Sequence, residues 1–230
     1  LRQIYPFLSV EDLMKLIPPD ACYFACADIL HAFYGLELHV DSRPLTTFIT
    51  HKGRFQFTRL PMGISISPEV WSQRSDLIYE KIPHMLKLVD DLLLFGASMP
   101  SLMTTIRHVL DRSRASKVTL SPDKFTIGTN AQFGGYLIDK SGIHMGIDKT
   151  LALKSFPPLK NVSDVRAWMG LVNCFKGHVP DLANITEPIR ALLKKNTAFQ
   201  WGPSHQAALQ AITSIITSPP LTTFFPPPKQ

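Results

Sequence analysis

The chain has 230 residues, of which 45% are hydrophobic, with a net charge of +6. That length can bury one large core or two small ones; no apolar run reaches the about 20 residues of a membrane span, and no charged-then-apolar segment opens the chain as a secretory signal would. The charge is uneven: residues 1–97 hold 9 Lys and Arg against 11 Asp and Glu, a balance of −2, and residues 98–230 hold 15 against 7, a balance of +8, which suits either a metal site beside a phosphate-binding surface or a merely solvated basic half.

In chain order, residues 2–8 read as extended, and Ser9 can cap a short helix over Val10 to Leu16 that Pro18 and Pro19 end. Ala21 to Ala27 is an apolar run that reads as a buried strand and delivers Asp28. Cys22 and Cys26 lie in it. With Cys174 they make neither a disulfide framework nor a paired zinc site, and they read as reduced buried thiols of an intracellular protein. Phe33 to Val40 alternates irregularly. Leu45 to Thr50 and Arg54 to Thr58 are rich in strand formers, and His51-Lys52-Gly53 joins them as a hairpin with Gly at the positive-φ position.

Leu60 to Pro68 is rich in turn residues and leads into a helix, with Ser67 as expected cap and Pro68 at the first position. Val70, Trp71, Leu77 and Ile78 form its stripe, and Pro83 stops it after about Ile82. Leu86 to Val89 and Leu92 to Phe95 then read as short buried strands with Asp90 and Asp91 at the tight turn between them. A further helix is expected over Ser101 to Ser116. Strands follow at Lys124 to Gly128, Gln132 to Ile138 and Ile143 to Met145, the last two linked by a turn at Asp139 to Gly142. From Ser163, read as a cap, three helical stripes follow: Val165 to Phe175, Leu182 to Leu193 broken near Pro188, and Ala208 to Ile216. Pro219 to Pro228 reads as a linker.

The Asp pair is the chemically informative stretch. Asp is an ordinary turn residue, so a polar turn is one reading. The other is a metal site: two carboxylates against an apolar wall resist ionising together, and a divalent cation with oxygen ligands, such as magnesium, removes the conflict. A strand ending in Asp28, a helix, and a hairpin carrying Asp90 and Asp91 resembles the split βαβ arrangement, which can bring three carboxylates to one sheet edge. Three such groups can hold two Mg²⁺ ions about 3.5–4 Å apart.

The segments YPFLSVEDL, YFACADILHAFYGLEL, LTTFITHKGRFQFTRLPMGISISPEVW, KLVDDLLLFG, LSPDKFTIG, FGGYLIDKSGI and SDVRAWMGLVNCFKGHVPDLANITEPIRALLKK stand in this order over nearly the whole chain. Together they resemble the reverse transcriptase of gypsy-type LTR retrotransposons, part of a retrovirus-like pol polyprotein. The resemblance implies an α+β fold: a right-hand polymerase palm of split βαβ topology with an antiparallel sheet and partial fingers, then a helical thumb and connection. It divides the chain into a partial-fingers entry segment at 1–20, a palm with finger insertion and primer-grip hairpin at 21–150, a thumb and connection at 151–218, and a Pro-rich linker at 219–230 toward an RNase H domain.

The resemblance also assigns roles. Asp28 matches the first palm aspartate, and Asp90 and Asp91 match the pair of the Tyr-x-Asp-Asp motif, together holding two Mg²⁺ or Mn²⁺ ions. Lys124 matches a lysine near the leaving pyrophosphate. Phe33 matches the aromatic gate against a ribose 2′-hydroxyl, although from the residues alone it could equally be core. Pro61, Met62 and Gly63 match the turn against the incoming nucleotide and template, and Phe133, Gly134, Gly135 and Tyr136 match the primer grip.

The implied partners are an RNA template, a DNA primer, deoxynucleoside triphosphates and the remaining pol domains: fingers, RNase H, integrase and protease. The implied setting is a cytoplasmic virus-like particle, with no membrane. Three positions depart from the pattern: Leu88 stands for the usual Tyr, Ser72 for Gln and Leu45 for Lys. The chain reads as an internal piece of pol, with upstream finger strands missing, so the piece alone is expected to polymerise little. A nucleic-acid-binding remnant without catalysis is the alternative.

Overall fold

The computed structural model describes residues 5–176, 179, 181–194, 197–217 and 222–223, and most of the expected 219–230 linker lies outside them. The chain divides into two compact units, Leu1–Gly134 and Gly135–Gln230. Among the described residues no helix is long and apolar enough to cross a membrane.

In the first unit, helix α1 (Val10–Met14) starts where expected: the Ser9 hydroxyl oxygen accepts the Asp12 amide at 3.1 Å. Strand β1 (Tyr23–Asp28) follows. Phe33 to Val40 is not strand. It holds a 3₁₀ turn at Phe33–Gly35, and a second 3₁₀ segment, Val40–Thr46, takes in Leu45. The hairpin of β2 (Phe48–Thr50) and β3 (Gly53–Phe55) is therefore shorter than the pattern suggested, with Gly53 at φ 122° as its turn requires.

Helix α2 (Ser67–Ile78) corrects three expectations. Ser67 is its first residue, not its cap: the hydroxyl donates to the Pro61 carbonyl at 2.7 Å and so ties down the preceding turn. The buried face is Ser67, Trp71, Ser72, Ser75 and Ile78, while Leu77 is 62% exposed. Serines let the helix lie close to its neighbours, and apolar periodicity cannot register such a face. The helix also ends before Ile82, where the Tyr79 hydroxyl shares a 2.9 Å hydrogen bond with Ser113.

Strands β4 (Met85–Leu88) and β5 (Asp91–Gly96) make the expected hairpin. Helix α3 (Met99–Ala115) is capped by Ser98, earlier than the sequence suggested, and β6 (Thr126–Gly128) and β7 (Asn130–Phe133) complete the unit. The main sheet runs β4-β5-β1-β6 with antiparallel neighbours. Its residues alternate between faces. Ala25, Ala27, Leu92 and Leu94 pack against Trp71 and Ile78 of α2 and Leu102, Ile106 and Val109 of α3. Gly96 ends β5 where α3 crosses: a Cβ there would lie 2.8 Å from the Leu102 amide nitrogen.

In the second unit, β8 (Tyr136–Asp139), β9 (Gly142–Met145) and β10 (Thr222–Thr223) pair antiparallel. The single strand expected over Gln132 to Ile138 is broken, because Gly134 and Gly135 adopt φ 57° and 82°. Helix α4 (Ile147–Lys154) has no clear periodicity and was not expected. Helix α5 (Val162–Asn173) is capped by Asn161, whose side chain accepts the Asp164 amide at 3.0 Å, rather than by Ser163. Helices α6 (Leu182–Ile185), α7 (Glu187–Ala191) and α8 (Pro203–Thr217) follow, with Pro188 in the first turn of α7. The expected stripes are core: Val165, Trp168, Val172, Phe175, Ile189 and Ile212 are fully buried.

Candidate functional site

The register of the main sheet places the acidic residues. Asp28 is the direct cross-strand partner of Asp91, and Asp91 is the partner of Leu88. Directly paired residues share a sheet face, and by alternation this is the face away from α2 and α3. On the other side of β1, the pairing with β6 ends at Cys26↔Thr126 and resumes only as the bridge Ile29↔Leu120, so the loop between them, which carries Lys124, bulges past Asp28. Backbone bonds hold that loop in place, with the Ser121 amide on the Asp28 carbonyl at 2.8 Å and the Leu30 amide on the Thr119 carbonyl at 2.8 Å. Leu88, Asp91 and Asp28 thus form one row across the sheet edge, and Lys124 reaches it from the neighbouring loop. Lys124 lies in a turn rather than in the expected strand, and its ammonium donates to Asp28 Oδ1 at 3.0 Å.

Val89 and Asp90 are the two central residues of the hairpin turn. Val89 has φ 57°, and Asp90 is not among the positive-φ residues, which is the II′ pattern of a tight hairpin. The Asp90 carbonyl accepts the Ile29 amide at 2.9 Å, so the turn is stitched to the end of β1. From helix α2, the Trp71 indole N–H donates to the Val89 carbonyl at 2.9 Å. Lys87, whose side chain is 11% exposed, reaches the Ser72 carbonyl at 3.1 Å, the Ser75 hydroxyl at 2.6 Å and Asp76 Oδ1 at 2.9 Å. Sequence reasoning missed both contacts. The indole N–H of a Trp on the helix face was the available signal.

Burial first, then the charges of Asp90 and Asp28, hold the Asp91 carboxyl above the usual carboxylate range, with Lys124 opposing. The hydrogen bond to Asp28 raises the Lys124 ammonium above its ordinary value. Among the described residues no three His, Cys, Asp or Glu side chains stand as a formed metal-ligand set. The donor chemistry nevertheless suits a hard divalent cation: the groups are carboxylate oxygens only, and their mutual repulsion is what such a cation relieves.

Because the folded-state pKa of Asp91 lies above its unfolded value, the folded chain binds more protons in that window. Stability therefore falls as pH rises from the ordinary carboxylate range through the raised value. Asp91→Asn is expected to raise the melting temperature of the metal-free protein at pH 7 while weakening Mn²⁺ binding. Calorimetry in chelator and Mn²⁺ titration read the two effects. An unchanged or lower melting temperature would show that the carboxylates do not strain one another.

The other expected site residues are distributed as follows. Phe33 is half-buried at the start of its 3₁₀ turn and packs against the cluster that contains Ile29, Ala32 and Trp71. The Leu60 amide donates to the Leu36 carbonyl at 2.9 Å, which sets the Pro61 turn beside that segment. Pro61 is buried, Met62 is 56% exposed, and Gly63 is exposed at φ 86°. No hydrogen bond or ion pair among the described residues joins these three to the aspartates. Phe133 and Gly134 belong to the first unit, Gly135 and Tyr136 to the second. Gly134 closes on the acidic hairpin: a Cβ there would lie 2.6 Å from Val10 and 3.4 Å from Leu88.

Residues 5–146 match the model of the reverse transcriptase (RNA-dependent DNA polymerase) family. The chain is 26% identical over 227 residues to the retrovirus-related Pol polyprotein from transposon 412 of Drosophila melanogaster, covering 97% of this chain and 18% of that protein. It is 27% identical over 222 residues to the Gag-Pol polyprotein of Baboon endogenous virus, covering 91% of this chain and 13% of that one. Among solved structures, the foamy viral protease-reverse transcriptase in complex with an RNA/DNA hybrid matches with a TM-score of 0.86 at 18% identity, covering 93% of this chain and 30% of that chain. At that identity the likeness shows the fold, an α+β polymerase palm. The chain spans less than a fifth of the length of these curated relatives.

Proposed function

Because the chain belongs to the reverse transcriptase (RNA-dependent DNA polymerase) family, we propose that it is the polymerase segment of a retrotransposon pol polyprotein, adding deoxynucleotides to a primer 3′-end on an RNA template. The observation that carries this reading is the row at the sheet edge, with Asp28 beside Asp91 and Asp90 in the adjoining turn. These three residues would hold two Mg²⁺ or Mn²⁺ ions. Such ions, when bound, activate the 3′-hydroxyl and neutralise the leaving pyrophosphate.

The remaining roles are those that the family resemblance implies for this chain's residues. Lys124 stays protonated on Asp28, and with its side chain 66% exposed it can swing to an oxygen of the departing pyrophosphate. Phe33 limits the space beside the sugar. Pro61, Met62 and Gly63 flank the incoming nucleotide, where an exposed glycine permits close backbone approach. Gly134, which lies beside Leu88, takes part in gripping the primer terminus. Residues 21–150 act as palm and residues 151–218 as thumb and connection. Fingers, RNase H, integrase and protease come from the rest of the polyprotein, inside a virus-like particle.

The test is primer extension on an RNA template by the segment with its native flanking sequence, with Mg²⁺ and then Mn²⁺. A folded protein that binds duplex but does not extend it supports the catalytically silent remnant instead. The basic half, +8 over residues 98–230, should bind RNA–DNA duplex without sequence preference. The log–log dependence of affinity on salt should have a slope set by several phosphate contacts. Filter binding from low to moderate salt measures it, and a flat profile would remove the phosphate-tracking role.

A further inference from the structure

We propose that Trp71 is a positioning residue for the acidic turn: its indole N–H holds the Val89 carbonyl and thereby fixes the direction in which Asp90 and Asp91 leave the hairpin. The proposal rests on the polymerase reading for its consequence in catalysis, but its geometry stands apart from that reading. Val89 is β-branched and sits at φ 57°, a conformation that such residues rarely adopt. Strain of this kind persists only where the surroundings over-determine it. Here the turn is held from two sides, by the Ile29 amide on the Asp90 carbonyl and by Trp71 on the Val89 carbonyl. Trp71 is 2% exposed and packed in the α2–α3 cluster, so its indole cannot turn away, and its N–H donates to the Val89 carbonyl at 2.9 Å.

That carbonyl belongs to the central peptide of the turn. Types II′ and I′ differ by which way this peptide faces: only the first central residue has positive φ in II′, and both do in I′. Flipping it would take the Val89 carbonyl off Trp71, rotate Asp90 and strain its 2.9 Å bond to the Ile29 amide. One strand earlier, Lys87 is clamped to Ser72, Ser75 and Asp76 of the same helix. Helix α2 therefore holds the hairpin before the turn through Lys87 and at the turn through Trp71.

A residue that only fills the core would act through volume, whereas a positioning residue acts through the turn. The two are separated by Trp71→Phe, Val89→Gly and the double variant, made in the segment with its native flanking sequence. The readouts are metal-free amide hydrogen exchange over residues 86–92, Mn²⁺ affinity by electron paramagnetic resonance, and primer extension. Trp71→Phe should speed hairpin exchange and weaken Mn²⁺ binding, each by about tenfold, the scale of one lost buried hydrogen bond, with exchange in β8 and β9 unchanged. Adding Val89→Gly should restore most of both, because Gly is the preferred first residue of a II′ turn.

Unchanged hairpin exchange and Mn²⁺ affinity in Trp71→Phe, or losses spread through α2 and α3 that Val89→Gly does not rescue, would overturn the proposal. If Trp71→Phe does not fold, 3-benzothienylalanine at position 71 keeps the ring shape, removes only the donor and is read in the same way. Should exchange and Mn²⁺ binding follow expectation while the wild type extends no primer, the polymerase reading fails and the positioning role stands.

Discussion

Asp90→Asn lowers primer extension by about a thousandfold or more, to background. An asparagine fills the same space and can keep the turn, since its backbone carbonyl still accepts the Ile29 amide. What it loses is a full negative charge beside Asp91 and Asp28, and phosphoryl transfer depends on positioning and charge neutralisation more than on covalent chemistry from the protein. Charge stabilisation of several kcal/mol by metal corresponds to at least about three powers of ten in rate. The measurement is product length and single-turnover rate on an RNA template, with circular dichroism to show that the variant folds. Extension at the wild-type rate by a folded Asp90→Asn protein would refute the catalytic assignment of this turn. The expected thermal effect has the opposite sign from the catalytic one, because removing the Asp90 charge relieves the repulsion that it exerts on the neighbouring Asp91 carboxylate in the metal-free fold.

Phe33→Ala should let ribonucleotides in. The discrimination between dNTP and rNTP, taken as the ratio of their kcat/KM values, is expected to fall by about a hundredfold, the scale on which pocket shape discriminates against a single hydroxyl. The position suits that role: Phe33 opens the 3₁₀ turn five residues after Asp28 and is half-buried rather than enclosed. One side of it packs on the cluster with Trp71 and Ile29, so truncation also costs about 2 kcal/mol of stability, less than for a fully buried ring. A variant with that loss and an unchanged dNTP-to-rNTP ratio would leave Phe33 as core alone. Extension with dNTPs should persist, which separates this residue from the aspartates.

Much of this site could be read along the chain because its parts are local. Asp90 and Asp91 sit between two apolar runs of strand length, and Asp28 ends a third such run, so the strands and their acidic ends are written in short-range pattern. The helical half was equally legible, since Val165, Trp168, Val172 and Phe175 repeat at helical spacing and are all fully buried. Where the pattern misled, the buried face was not apolar. Helix α2 buries Ser67, Ser72 and Ser75 and exposes Leu77, because the close approach that small side chains allow, with hydrogen bonds from the Ser67 and Ser75 hydroxyls, decides that packing rather than apolar area. The strand expected through Gly134 and Gly135 breaks for a related reason: both turn to positive φ, and Gly134 does so beside Val10 and Leu88, where a side chain would not fit.

The sequence by itself determined which groups were available: three carboxylates at strand ends, a lysine before a strand, a hairpin to carry two of the acids, and a family resemblance that ordered them. Tertiary structure alone decided how they face one another. The row Leu88, Asp91, Asp28 exists because β5 lies between β4 and β1 in antiparallel register, and a slip of one residue would turn each acid to the helix-covered face; Lys124 joins it only because the loop before β6 bulges past Asp28. The same holds for Trp71 and Lys87. Both are ordinary members of their elements until α2 packs against the hairpin, when one indole N–H and one ammonium find acceptors 18 and 11–15 residues away along the chain. Contacts of that kind depend on the packing of one element on another, which no periodicity within either element encodes.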